Sequence, residues 1–454
     1  MLTIVVPLTG GLEEARKCVD YLRLHYAGAA FERVVAYGGK EREAEHLLRL
    51  QPDIQLHAGK EKPLGALLNE AVQQTRGEQV LFVSPNYILL APALQNMMQV
   101  LEENEGAAMA LPMLDKNIVG HASPQAFGVS PAAEIPYVDE AGFERFVADL
   151  ARRETKIASA LLVRDCCALM KREAFISVGG FSSNYQTEML LVADLSVRTW
   201  ETGLSCLVAC GAYVHINPYT YPDAYGEDCE RFSREHGLRL EYSFNARREL
   251  LGMMDLKKPG LHVLEVGCAC GATLLAVRDA NPAAALFGIE IDEAPARIAS
   301  RFAKVEALDV ETLEKPEWHE TFDYIILSDV IEHLRNPWQA MKNLAAFLKP
   351  GGAVVVSVPN VMHCSVFRMM LQGRWTYADA GILDRTHLRF FTLFEIAALL
   401  REAALEPEYI QAFQIPETEE DAAMGEHLTS LLPQHIDPRE LHAYQWQILA
   451  RKKG

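Results

Sequence analysis

The residue types best suited to chemistry gather in short clusters between positions 264 and 334. Residues 264–272, LEVGCACGA, run from an apolar stretch through Glu265 into a turn of small residues. Glycines there let the backbone approach a ligand closely, and a helix opening behind them offers unpaired N–H groups. Residues 286–292, LFGIEID, end a second apolar run at Glu290, a carboxylate able to accept both hydroxyls of a ribose. Asp309, within Ala307-Leu308-Asp309-Val310, is placed to meet an adenine amino group. Residues 322–334 then lead into Ser328, Asp329, Glu332 and His333. Asp329 and His333 are candidate proton acceptors, as are His363 and His387 further along. Asp329 and His333 lie four residues apart, so a helix beginning there would turn both to one face.

Such groups need rigid supports. Short Val/Ile-rich runs alternate with helical patterns through most of the chain, which predicts an α/β fold of parallel strands with crossover helices. Residues 262–266, 286–291, 324–327 and 353–358 read as strands, with the clusters at or beyond their carboxyl ends, where open parallel sheets bind ligands. Trp338, Met341, Leu344 and Leu348 give one helix an apolar stripe, stopped by Lys349-Pro350-Gly351-Gly352. A last strand is expected at 444–450, after an acidic, irregular surface insertion at 416–437. The first half repeats the pattern, with strands at 3–7, 33–37 and 79–83. Leu64, Leu67, Leu68, Ala71 and Val72 form a helical stripe, and Leu94, Met97, Met98 and Leu101 another, its methionines read as core filler. A stretch rich in Pro, Tyr and Gly, 217–228, separates the halves. The expected organisation is a domain at 1–220, a helical connection at 221–245 grouped with the second half, and a domain at 246–454.

The length of 454 residues suits two to three domains. With 61 Asp and Glu against 43 Lys and Arg, the net charge of −18 opposes phosphate backbones and anionic membrane surfaces, so neither nucleic acid nor a membrane surface is expected as a partner. Nine cysteines, odd in number and unevenly spaced, do not make a disulfide framework, and the expected compartment is a reducing cytoplasm. The opening MLTIVVPLTGG lacks a basic leader region, and no apolar run approaches the ~18 residues of a membrane span. Cys206, Cys210 and His215 lack a fourth ligand, so no metal site is expected.

Taken in order, the four clusters resemble those of the class I S-adenosylmethionine-dependent methyltransferases, over about residues 242–454. The resemblance implies a Rossmann-like domain with S-adenosylmethionine as cofactor. It assigns Glu265, Gly267, Cys268, Ala269 and Gly271 to the donor loop, Glu290 and Ile291 to the ribose, Asp309 and Val310 to the adenine, and Ser328 to the same site. The loop's usual middle glycine is Ala269, tolerable if φ there is negative. Residues 359–363, PNVMH, and 373–392, GRWTYADAGILDRTHLRFFT, resemble the acceptor side of methyltransferases from bacterial surface-glycan clusters. That implies O- or N-methylation of a sugar or glycoconjugate acceptor, with His333, Asp329, His363 and His387 as candidate catalytic groups. Asp384 and Arg385 could instead order a lid. A homo-oligomer or a glycan-assembly partner is compatible with this reading, and so is a non-catalytic, donor-binding scaffold.

Residues 2–215 resemble the GT-A-fold inverting glycosyltransferases. The likeness rests on the opening Thr3-Ile4-Val5-Val6-Pro7 with Thr9, on Asn69, on Gly77-Glu78, on residues 166–181 and 193–203, and on His215. The family's acidic functions are missing. Ser84-Pro85-Asn86 stands where carboxylates hold a divalent cation, Leu191-Val192 at the base, and Tyr37-Gly38-Gly39 after the second strand. Neutral side chains neither offset a metal's charge nor take a hydroxyl proton. Two outcomes follow: a retired transferase fold, or a bifunctional enzyme using Glu188 or Asp194 as base.

Overall fold

A computed structural model describes residues 1–28, 30–59, 61–114, 139–163, 166–216, 223–240, 242–434 and 436–453. They form two compact units, Met1–Asn245 and Ala246–Gly454.

In the first unit, apolar runs at 2–8, 79–83 and 107–114 make strands buried along nearly their whole length, as the interior of a sheet covered on both faces requires. Its strands are β1 (Leu2–Leu8), β2 (Phe31–Tyr37), β3 (Gln55–Ala58), β4 (Gln79–Val83), β5 (Tyr87–Leu89), β6 (Ala107–Leu114), β7 (Ile157–Ser159), β8 (Cys167–Lys171) and β9 (Ser205–Ile216). The sheet order is β3-β2-β1-β4-β8-β6-β9-β5, with β7 also against β9. β1 pairs in parallel with β2 and β4, whereas β8 runs antiparallel to both β4 and β6.

Residues 217–222, which include the first two of the expected connection at 221–245, lie outside the described residues. Beyond them the helix Tyr225–His236 clusters with the first unit, not the second. Its buried Asp228 accepts hydrogen bonds from the backbone N–H groups of Gln186 and Thr187 and from the Thr187 hydroxyl, at 2.8–2.9 Å. Its last residue, His236, meets Asp194 at 3.0 Å. Buried polar bonds of this kind carry a charged helix that hydrophobic patterning alone does not place.

The second unit contains β10 (His262–Val266), β11 (Ala285–Glu290), β12 (Lys304–Ala307), β13 (Phe322–Ser328), β14 (Leu348–Pro359), β15 (Leu405–Phe413) and β16 (Gln445–Lys452). Their order is β12-β11-β10-β13-β14-β16-β15. The first five are parallel, and β16 runs antiparallel to β14 and β15. Alternation along each strand feeds two cores: Leu264, Ile325, Leu327, Val354 and Val356 on one face, Val263, Ile326 and Val355 on the other. β10 lies between β11 and β13, where the order reverses, so the carboxyl ends there open a crevice. At the opposite ends, buried Asp323 accepts from His262 N and from Lys349 Nζ, both at 2.8 Å.

The insertion expected to be irregular is partly helical, with a helix at Glu419–Thr429. Thr418 caps it by accepting from Asp421 N at 3.1 Å. Glu419, Glu420 and Asp421 occupy its first turn, where negative charge suits the helix dipole. The acidity that read as a surface loop is therefore a helix start. The stripe helix spans Pro337–Phe347 with Trp338 exposed, and Lys349–Gly352 already belongs to β14. Among the described residues no helix is long and apolar enough to cross a membrane.

Candidate active site

Between β10 and the helix Ala272–Ala280 the chain bends through three left-handed residues: Gly267 (φ 67°), Ala269 (φ 46°) and Gly271 (φ 79°). A Cβ at Gly267 would lie 2.9 Å from Val330 Cγ2, and one at Gly271 2.8 Å from Phe302 Cζ. Both positions therefore need glycine for φ and for space. Ala269 does not have the negative φ expected of it. Its methyl sits in the left-handed region, at a cost of about 1–2 kcal/mol. The buried thiol of Cys268 fills the place a side chain at Gly288 would take, 2.7 Å from a Cβ built there.

Two carboxyl groups lie under this bend. Glu290 accepts from Ala269 N at 2.7 Å with one oxygen and from Asp292 N at 3.0 Å with the other. Each oxygen keeps a second lone pair for a ligand hydroxyl. Glu265 is buried, and its Oε2 has no partner. Burial raises its pKa to about 8 despite hydrogen bonds from Thr273 and Leu274, so it stands mostly protonated at neutrality. Beside them Ile291 is 66% exposed, an apolar surface next to a carboxylate at the carboxyl end of β11. Asp309 accepts from Glu311 N at 2.9 Å, capping the short turn Val310–Thr312.

At the end of β13, Asp329 is also left-handed (φ 53°) and is fully engaged. One oxygen meets Arg247 Nη1 at 2.5 Å; the other accepts from Ser357 Oγ at 2.8 Å and Gln445 Nε2 at 3.1 Å. Arg247 also donates to Ser328 Oγ. Both oxygens are taken up by protein donors, so Asp329 serves better as an anchor than as a proton acceptor. Sequence reasoning missed Arg247 and Gln445, which lie outside the clusters at 264–334 and reach the site only through folding.

The expected helix at 329–333 is a single 3-10 turn, Ile331–His333, so Asp329 and His333 are not brought together by helical spacing. His333 Nδ1 lies 3.2 Å from the Thr386 carbonyl. A carbonyl only accepts, so Nδ1 carries the proton and Nε2 is left as a base. The His387 ring stands edge-on at 4.8 Å, its own Nδ1 2.9 Å from the Ile382 carbonyl. Burial, and then His387, lower the pKa of His333, which keeps the imidazole neutral near pH 7. Neighbouring Glu332 is buried with both carboxyl oxygens unpartnered, and burial followed by the Asp329 charge holds its pKa well above the ordinary value. From His387 the rings continue to Phe390 (6.4 Å), which Trp375 meets at 5.3 Å and Tyr377 at 6.5 Å. His363 belongs to a different group of side chains, with Ser365, Glu417 and the Tyr444 ring.

Residues 237–410 match the family model described as "Methyltransferase domain". A ubiquinone biosynthesis O-methyltransferase of Ruegeria pomeroyi is 30% identical over 185 residues, 37% of this chain and 71% of that protein. The chain belongs to the S-adenosylmethionine-dependent methyltransferases. A ubiquinone biosynthesis O-methyltransferase of Coxiella burnetii is 34% identical over 108 residues, 22% of this chain, and the chain spans only 44% of that relative's length. A SAM-dependent methyltransferase from Archaeoglobus fulgidus is similar at 17% identity and a TM-score of 0.34, over 49% of this chain and 99% of that one. The methyltransferase unit suits its cofactor on its own geometry: a left-handed bend, an orphaned buried acid and a carboxylate beside an exposed isoleucine form a cradle for a cationic nucleoside.

Proposed function

We propose that the second unit methylates a hydroxyl of a sugar or glycoconjugate, with His333 accepting the hydroxyl proton. S-adenosylmethionine supplies a sulfonium methyl open to in-line displacement. Glu265, Gly267, Cys268, Ala269 and Gly271 would hold it at the loop, Glu290 and Ile291 at the ribose, Asp309 and Val310 at the adenine, with Ser328 alongside. Arg247, the cation at this site, would face the donor's carboxylate. Positioning of the reactants accounts for roughly 7–11 kcal/mol of barrier lowering, and a general base for a further ~10²–10⁴-fold.

The observation that carries this reading is the ring series from His333 through His387 to Phe390, Trp375 and Tyr377. It joins a neutral imidazole with a free Nε2 to partly exposed aromatic faces, on which the C–H face of a sugar stacks. That the relatives are O-methyltransferases supports oxygen as the acceptor atom. The first unit, if it is a nucleotide-sugar transferase fold, supports a sugar. Its run β3-β2-β1-β4 with antiparallel β8 next to it is in keeping with that fold. With Ser84 and Asn86 in place of carboxylates and Asp194 committed to His236 and Arg198, we read it as retired from catalysis. The nine cysteines form no disulfide, which is in keeping with a cytoplasmic setting.

The test offers labelled donor with a panel of sugars, glycoconjugates and simple phenols, and compares the host's surface glycans with and without the gene. Transfer to sugar hydroxyls, and glycans lighter by one CH₂ without the gene, are expected. Transfer to phenols alone would replace the sugar reading. Donor binding without transfer to any acceptor would leave the scaffold alternative.

A further inference from the structure

A second cluster of reactive side chains lies where the helix Cys364–Leu371 begins. Cys364 is fully buried, and His363, which immediately precedes the helix, is 2% exposed; with its Nδ1 proton on the Ser365 hydroxyl, Nε2 presents a lone pair. His363 Nδ1 is bonded to Ser365 Oγ at 2.8 Å, but its Nε2 is buried without a hydrogen-bond partner. Glu417 Oε1 lies 3.7 Å from that nitrogen and 3.7 Å from Cys364 Sγ. His442 Nδ1 lies 2.9 and 3.2 Å from the two Glu417 oxygens and holds the carboxylate in place. A Cβ at Gly425 would lie 2.5 Å from His442 Cε1, so only glycine lets the helix Glu419–Thr429 pack against that ring.

Most buried polar groups are hydrogen-bonded, so the unpartnered Nε2 of His363 calls for an explanation. The spacing fits a different purpose. The imidazole nitrogen, the sulfur and a carboxylate oxygen all lie within 4.8 Å of one another. For metal bonds of about 2.0–2.3 Å, the edge of a ligand tetrahedron is about 3.3–3.8 Å, and both distances to Glu417 fall in that range.

We propose that His363 Nε2, Cys364 Sγ and Glu417 bind a zinc ion, with His442 as the positioning residue for Glu417. Thiolate and imidazole together favour zinc over magnesium or calcium, which take oxygen ligands. On binding, the Cys364 thiol loses its proton to solvent and the thiolate joins the metal. The ion ties the start of one helix to the approach to another, reinforcing the Arg368–Asp421 ion pair at 2.6 Å between the same two helices. Sequence spacing hides the site, because Cys364 and Glu417 are 53 positions apart. The proposal does not depend on the methyl-transfer reading.

The experiment strips the full chain with a chelator and titrates it with Co²⁺, then Zn²⁺, while binding of the demethylated product nucleoside is followed on the same samples. One cobalt per chain, with a thiolate-to-cobalt charge-transfer band that zinc displaces, is expected, together with a higher Tm for the loaded protein. Cys364→Ser should abolish the band, and His363→Gln and Glu417→Gln should each weaken zinc binding by at least about tenfold, in variants that still bind the nucleoside. Wild-type protein without the band, or a Cys364→Ser protein that keeps it, overturns the proposal. The Glu332, His333 and His387 group has no sulfur and does not produce that band. Loss of nucleoside binding in the wild type bears on the donor site alone.

Discussion

The protonation state of two side chains decides much of the chemistry. His333 has a lowered pKa and its Nδ1 proton on the Thr386 carbonyl. The expected kcat/KM therefore rises with pH through a value below 6.5 and is flat by neutrality. His333→Ala should lower turnover by at least about a hundredfold and leave donor affinity unchanged; a loss under threefold in steady-state assays would remove it as the base. Glu265 shifts the other way, from an ordinary 4.5 to about 8 when folded. Its contribution to stability is complete below the unfolded value and is lost as pH climbs through the folded one. Thermal denaturation of donor-free protein should show Tm declining between pH 5 and 8, with a shallower decline in Glu265→Gln. These residues were legible as types: acid, glycine and histidine at strand ends announce a site. Their protonation and partners were not, because burial and the reach of Arg247 are properties of the fold.

At the scale of an element, the bend after β10 stores strain in one alanine. Ala269→Gly removes the left-handed penalty and adds the flexibility of glycine, for a net gain on the order of 1 kcal/mol. Calorimetry should register a Tm rise of roughly 2–4 °C, and unchanged or lower Tm would mean the methyl is already accommodated. The inner strands of the parallel sheet were legible from apolar runs, since both their faces are buried, whereas the edge strand β12 is exposed or half-buried and carries no such run. The helix Glu419–Thr429 was not, for its signals are a cap and an acidic first turn within a polar stretch. β15 was hidden as well: most of its residues are only partly buried or exposed, and no apolar run marks it.

Over the whole molecule, two α/β units share one chain, and the boundary at Asn245 lies some 25 residues beyond the composition break near residue 220. Composition marks where the sequence changes character, whereas the Asp228 hydrogen bonds decide which core a helix joins. Burial disfavours the Asp194 carboxylate, but His236 and Arg198 outweigh it and keep the pKa below its ordinary value. A group so strongly acidic does not take a hydroxyl proton near pH 7. The full chain is therefore expected to show no Mn²⁺-dependent hydrolysis or transfer with common nucleotide sugars by product chromatography. Turnover abolished by Asp194→Ala would restore the bifunctional reading.

The unpartnered oxygen of Glu265 has one more consequence. A ligand bringing positive charge against a neutral buried acid must expel that acid's hydrogen ion into the medium. Heats of association should then differ between buffers of unlike ionisation enthalpy, and the complex should tighten as the solution becomes more alkaline.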